Sequence, residues 1–282
     1  MISKFKILFI LTSFLFIWSC GDKTNKISKI VEVDMEMQMS NAYNEGYLEL
    51  QRGDVLLAAK KFNEAELLFP QSTWAAKSAL MAAYAYYTQG YYSDAIYELE
   101  RYITTYPNHK DKVYAHFLLG MSFYEQIVDE KKDLQSILLS KEQFEFIIKE
   151  YPTTEFAIDA KFKIDLIYEI LAAKEMYIAR YYLNKTKWIP ALNRLKIIVN
   201  EYNTTIYTEE ALHRLVEINY KLGLMDEAKK YANTLGYNYQ SSDWYKNTYK
   251  VFNKNYRDGV KELQKDKKKK AGLIKRFKRL FE

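Results

Sequence analysis

Cys20 is the only thiol among 282 residues, and it stands directly behind an apolar run in FLFIWSCGDK (Phe14–Lys23). A single cysteine cannot close an intramolecular disulfide, so the chemistry left to it is modification of its own sulfur. The three histidines offer less. His109 and His116 are seven residues apart, about 10 Å along a helix and too far to share one metal. The chain has no H-E-x-x-H or C-x-x-C pair, no glycine-rich phosphate loop and no G-x-S-x-G elbow. Acidic residues are plentiful, but on helix faces they are usually solvated, and none stands out as an acid–base pair. No catalytic residue, metal or cofactor is expected. These residue types point to anchoring and binding, and to a protein that is not an enzyme.

The residues before Cys20 explain its place. Lys4 and Lys6 form a basic start, and Ile7–Trp18 is a run of twelve residues broken only by Thr12 and Ser13. A spanning helix needs about 20 apolar residues, so this run reads as a secretory signal. Ser19 and Gly21 flank Cys20 as in a bacterial lipobox, where the signal is cut before a cysteine that then carries diacylglycerol. Trp18 departs from the small residue usual two positions before that cysteine. A signal peptide with an incidental cysteine is the plainer alternative. Lipidation accounts for the cysteine usage, since no other thiol is left to oxidise outside the cytoplasm. Several acyl chains also hold a protein to a bilayer more firmly than one. Gly21, rather than Asp, after the cysteine favours the outer membrane, at its periplasmic face. Residues 1–19 then form the signal and 20–40 a lipidated polar tether.

Beyond the tether the pattern becomes helical. Only nine Gly and four Pro interrupt the chain, and such scarcity of breakers favours helix. Gly46, Ala58, Phe62, Ala65 and Pro70 recur 37 residues later as Ala83, Ala95, Leu99, Tyr102 and Pro107. A small residue, Ala-x3-large twelve residues on, then Pro is a slightly lengthened tetratricopeptide pattern. Small residues let paired helices cross closely, and Pro ends the second helix. Tyr102 in place of Ala65 is a mismatch at one docking position. The third unit carries Gly120, Ser140, Phe144 and Pro152, with an insertion around Asp129–Asp133. The fourth carries Ala179, Ala191 and Leu195, with Asn203 where Pro would stand. A weaker fifth carries Val216, Gly223, Ala228 and Ala232. The expected fold is all-α, a tetratricopeptide-repeat solenoid of about five helix pairs over 41–236. A plain helical bundle is the alternative. Such solenoids offer a concave surface for peptide segments.

Two further features invite binding roles. The chain holds 26 tyrosines. Tyr84, Tyr86 and Tyr87 could receive an extended, aromatic-ended peptide, or could simply pack between helices. The C-terminal extension, 237–282, ends in KDKKKKAGLIKRFKRLFE (Lys265–Glu282). Residues 261–282 hold ten Lys/Arg against three Asp/Glu. As a helix, Leu273, Ile274, Phe277, Leu280 and Phe281 share one face. That suits a membrane surface or a docking partner, and a solvated tail is the alternative. Charge alone also suits nucleic acid, but the export signal argues against it.

Lipobox, tether and five lengthened repeats together resemble the BamD family of outer-membrane β-barrel assembly lipoproteins. The local strings are AYAYYTQGYYSDAIYELERYITTYPNHKDKVYAHFLLGMSFY (Ala83–Tyr124) and ARYYLNKTKWIPALNRLKIIVNEY (Ala179–Tyr202). The family's aromatic-rich loop after the first repeat is here FPQSTWA, and its Asp-Pro before the second helix of the third unit is missing. The resemblance implies a scaffold that binds unfolded outer-membrane proteins through its N-terminal repeats. It implies a barrel partner, BamA, whose POTRA domain meets the C-terminal repeats, together with accessory assembly lipoproteins. It makes Arg194, beside Asn193, the arginine that pairs with an acidic residue of that partner. The other function considered is a tetratricopeptide lipoprotein coordinating cell-wall synthesis with division.

Overall fold

The computed structural model describes residues 34–127 and 134–252. Cys20, most of the tether, the charged insertion at 129–133 and the basic segment 261–282 lie outside the described residues. Within those residues every regular element is a helix. They are α1 (Met35–Arg52), α2 (Val55–Leu68), α3 (Thr73–Thr88), α4 (Tyr92–Thr105), α5 (Lys112–Tyr124), α6 (Gln135–Glu150), α7 (Glu155–Asn184), α8 (Trp188–Glu201), α9 (Thr208–Lys221), α10 (Met225–Asn238) and α11 (Asp243–Phe252). None is long and apolar enough to cross a membrane.

Local chemistry sets the helix ends. Asp34, Asp54, Ser72 and Thr154 each precede a helix, and each side chain accepts a hydrogen bond from a backbone N–H of the first turn, which satisfies one otherwise orphaned donor. Pro70, Pro107 and Pro152 lie two residues beyond the ends of α2, α4 and α6. The residue before each has left the helical region, as a following proline requires. Gly53, Gly90 and Gly223 follow α1, α3 and α9 with φ of 85°, 78° and 79°, a left-handed turn that suits glycine. After α7 the corresponding residue is Thr186, with φ of 58°. A β-branched side chain there is strained.

The helices stack in chain order, α1 on α2 through α9 on α10, and each pair packs on the next. This is the expected repeat solenoid. The matched positions Ala58, Phe62, Ala65, Ala83, Ala95, Leu99 and Tyr102 are all fully buried. The small residues are needed. A Cβ on Gly46 would stand 3.0 Å from the Phe62 ring, and one on Gly120 would stand 2.9 Å from Phe144. Ser140 Oγ donates to the Gly120 carbonyl at 2.9 Å, so α5 and α6 cross there despite the longer link between them. The Tyr102 mismatch is also resolved. Its ring lies in the α3–α5 core, and its hydroxyl reaches His109 Nδ1 at 2.9 Å.

Helices extend past both ends of the 41–236 repeat pattern. α1 begins at Met35, where Asp34 caps it and Met39 packs with Ala42 and Ala65. α10 runs to Asn238, and α11 seals the end of the stack. It packs on α9, where His213 Nδ1 meets Thr248 Oγ1 at 2.8 Å and the Tyr220 and Phe252 rings lie 5.7 Å apart.

α7 has 30 residues and serves two cores. Ala157, Ala160, Ile164, Ile167 and Leu171 join α5 and α6. Ala172, Met176 and Ala179 join α8 and α9. Leu171 and Ala172 are neighbours in the chain, so the buried stripe turns by about 100° in one residue.

Candidate functional site

Two surfaces carry the tyrosines and the Asn193–Arg194 pair singled out from the sequence, one toward each end of α7. The first is on α3. Tyr84 and Tyr87 are three residues apart and fall on one helix face. Both pack half-buried against the α3–α5 core beside Tyr114, while Tyr86 packs against the α2–α3 core instead. The three tyrosines therefore do not form a single site. The Tyr84 and Tyr87 face continues into an aromatic row that sequence reasoning missed. The ring centroids of Tyr114 and Phe156 lie 5.5 Å apart, Phe117 and Phe156 lie 5.5 Å apart, and Tyr87 and Tyr92 lie 5.9 Å apart. α5 supplies Tyr114 and Phe117, and α7 supplies Phe156, since α5 touches α3 on one side and α7 on the other. The signal for this row lay in the repeat phase, because first helices of successive units stand side by side.

Burial pushes the Tyr114 hydroxyl up to about 12 and raises Tyr87 and Tyr86 as well. These phenols stay protonated across ordinary pH, so they can donate to a peptide carbonyl. An apolar rim with polar tips suits a partner that is partly apolar and partly hydrated.

The second surface is the α7–α8 hairpin. Ala191, Leu195 and Ile198 form its buried stripe, which leaves Asn193 exposed and Arg194 half-buried at the edge. Arg194 does not stand alone. Its Nη1 lies 3.2 Å from Glu175 Oε2 and 3.4 Å from Oε1. The arginine side chain is 40% exposed and the glutamate 14%. Glu175 was not singled out from the sequence, although a signal existed. In an antiparallel hairpin, residues at similar distances from the turn face each other, and 175 and 194 lie ten residues before and seven residues after the 185–187 turn, within one helical turn of symmetry.

Beyond this pair lies a charged cleft of about 370 Å³ bounded by Arg180, Trp188, Glu210, Arg214, Glu217 and Lys221. Arg180 is paired with Glu210, Arg214 Nη1 with Glu217 at 2.7 Å, and Lys221 lies 4.5 Å over the Trp188 ring. Pairing with Glu210 raises the Arg180 guanidinium further above its already high range. Among the described residues no three His, Cys, Asp or Glu gather as metal ligands.

Residues 35–235 match the YfiO family, described as an outer membrane lipoprotein. The chain belongs to this family. Its curated relatives include the outer membrane protein assembly factor BamD of Rickettsia prowazekii, 39% identical over 238 residues, or 84% of this chain and 93% of that protein. BamD of Caulobacter vibrioides is 36% identical over 253 residues, 89% of this chain and 82% of that protein. BamD of Neisseria gonorrhoeae is 29% identical over 203 residues, 68% of this chain and 76% of that protein. The YfiO match includes both the Tyr84–Tyr87 surface and the Arg194 hairpin. It stops before α11, so that closing helix lies outside the matched region.

Proposed function

We propose that this protein is an assembly factor for outer-membrane proteins, a scaffold without a catalytic step of its own. The observation that carries this reading is the similarity to proteins named outer membrane protein assembly factor BamD, which runs through both candidate surfaces. In this reading Cys20 carries the lipid that holds the chain at the periplasmic face of the outer membrane. The aromatic row of α3, α5 and α7, with Tyr84 and Tyr87, receives the unfolded substrate strand. Tyr86 supports it from the far side of α3. The α7–α8 hairpin meets the POTRA domain of the barrel partner, BamA, through Arg194 and Asn193. Accessory lipoproteins complete the assembly.

Arg194 is suited to that role because one edge of its guanidinium is occupied by Glu175 while much of the side chain faces solvent. A planar guanidinium can then offer its remaining N–H groups to a carboxylate in a two-point grip that Lys cannot copy. The test is titration of the protein against the partner's periplasmic domains. Arg194→Leu is expected to weaken binding at least about tenfold, near 1.4 kcal/mol. Arg194→Lys should restore only part of it, with circular dichroism unchanged in both. Unchanged affinity for Arg194→Leu would show that this arginine is surface decoration.

A further inference from the structure

The N-terminal half of α7 carries an exposed face with no cover among the described residues. Its buried stripe, Ala157 to Leu171, lies on one side. On the opposite side Ile158, Phe162 and Leu166 follow at four-residue spacing and are 56%, 64% and 47% exposed. Large apolar side chains aligned over two turns of helix form a patch rather than scattered exposure. The same face is acidic. Glu155, Asp159 and Asp165 are exposed, and at 100° per residue they fall between and beside the three apolar residues. Glu169 ends the row. Its Oε1 accepts from the Ile206 N–H at 3.1 Å, but its Oε2 is buried and has no hydrogen-bond partner among the described residues. Lys161, four residues before Asp165, flanks one edge of this face, and Lys163 sits 4.6 Å over the Tyr124 ring; the four carboxylates still outnumber these two lysines.

An acidic row studded with apolar side chains calls for a basic segment with an apolar edge. The chain contains one. Residues 261–282 hold ten Lys/Arg against three Asp/Glu, and Leu273, Ile274, Phe277, Leu280 and Phe281 recur at helical spacing within it. We infer that the C-terminal segment around Leu273–Phe281 docks on the Ile158–Phe162–Leu166 face of α7. The apolar residues meet the patch, and Lys275, Arg276, Lys278 and Arg279 meet Glu155, Asp159 and Asp165. The reach is sufficient. Twenty residues separate Phe252, the end of α11, from Leu273, and they span up to about 66 Å when extended. The path back across α9 and along α7 needs about 10 Å per helix crossed and at most about 35 Å along the helix.

The test uses the full chain with Cys20→Ser, which removes the native thiol, and one new cysteine pair at a time. Leu166→Cys with Phe277→Cys should give an intramolecular crosslink with a short bismaleimide. Leu48→Cys on exposed α1, paired with Phe277→Cys, should give at most about one-fifth as much. Adding Asp159→Lys and Asp165→Lys should lower the first crosslink at least about fivefold at low salt, where exposed charges are least screened. Equal crosslinking from residues 48 and 166 would overturn the inference. So would crosslinks found only between two chains. Complete loss of the crosslink on adding vesicles containing phosphatidylglycerol would assign the tail to the membrane instead.

Discussion

His213 shows how one side chain ties the closing helix to the repeats. It is buried, its Nδ1 meets Thr248 of α11, and its ring lies against Trp244 at 5.2 Å. Its other nitrogen is 3.7 Å from Glu217 Oε2, with Arg214 and Glu210 close by on α9. Burial lowers its pKa below the ordinary histidine value, Glu217 opposes that shift and Arg214 adds to it. His116 is lowered for the same main reason. Its Nδ1 is 2.8 Å from Gln143 Oε1, and its buried Nε2 has no described partner. The unfolded chain therefore binds more protons than the folded one between the folded value and about 6.5. Stability is full above that window and is lost as pH falls through it. The melting temperature should drop between pH 8 and pH 5.5, and His213→Gln should make the drop shallower. Identical drops in both proteins would rule out this account. In the sequence His213 is simply one of three histidines, with no motif around it. Its role depends on α11, and α11 lay beyond the repeat pattern.

At the scale of the elements, α2 and α4 are held together by charge inside an otherwise apolar stack. Arg101 grips Glu66 with two hydrogen bonds of 2.8 and 2.7 Å and reaches Glu98 with its Nε at 2.9 Å. Tyr106 donates to the same Glu66 oxygen at 2.8 Å, and Asn63 donates to Glu98. Both carboxylates are nearly buried. Removing the arginine leaves two of them facing each other. Breaking a buried pair costs about 3–5 kcal/mol. Arg101 is itself 31% exposed, so water offsets part of this, and Arg101→Met is expected to lose about 2–3 kcal/mol in urea unfolding. Adding Glu66→Met should recover some of that loss. A single variant as stable as the parent would show the network contributes little. The helix pairs themselves were legible in the sequence, because small and large residues recur where helices cross. This network was not, since acidic and basic residues on helix faces are so often solvated. The separation of Tyr86 from Tyr84 and Tyr87 could have been read from spacing alone, because residues two apart on a helix point to different sides.

For the whole molecule, the proposed anchor at Cys20 and the solenoid would do separate work. If Cys20 carries the lipid, Cys20→Ser should leave the helical signal and melting temperature intact while the protein leaves the membrane fraction. Retention of the variant in membranes stripped of the barrel partner would refute that division. Repeat number and order were readable along the chain. The double duty of α7 was not. Its apolar residues run on without a break, and nothing in composition marks the step from Leu171 to Ala172. Only the packing partners reveal that one face serves the first core and another the second.

That step makes α7 a ruler as well as a shaft. Inserting one residue at the junction would turn the C-terminal half by a further 100° or so and scramble its orientation to the N-terminal half. Inserting eleven residues adds three turns with only about 20° of error. The two halves would move about 16 Å apart while keeping nearly their present bearing. The distance between the aromatic row and the Arg194 hairpin can therefore change by indel in quanta of whole turns, whereas the angle between them is tightly held by register.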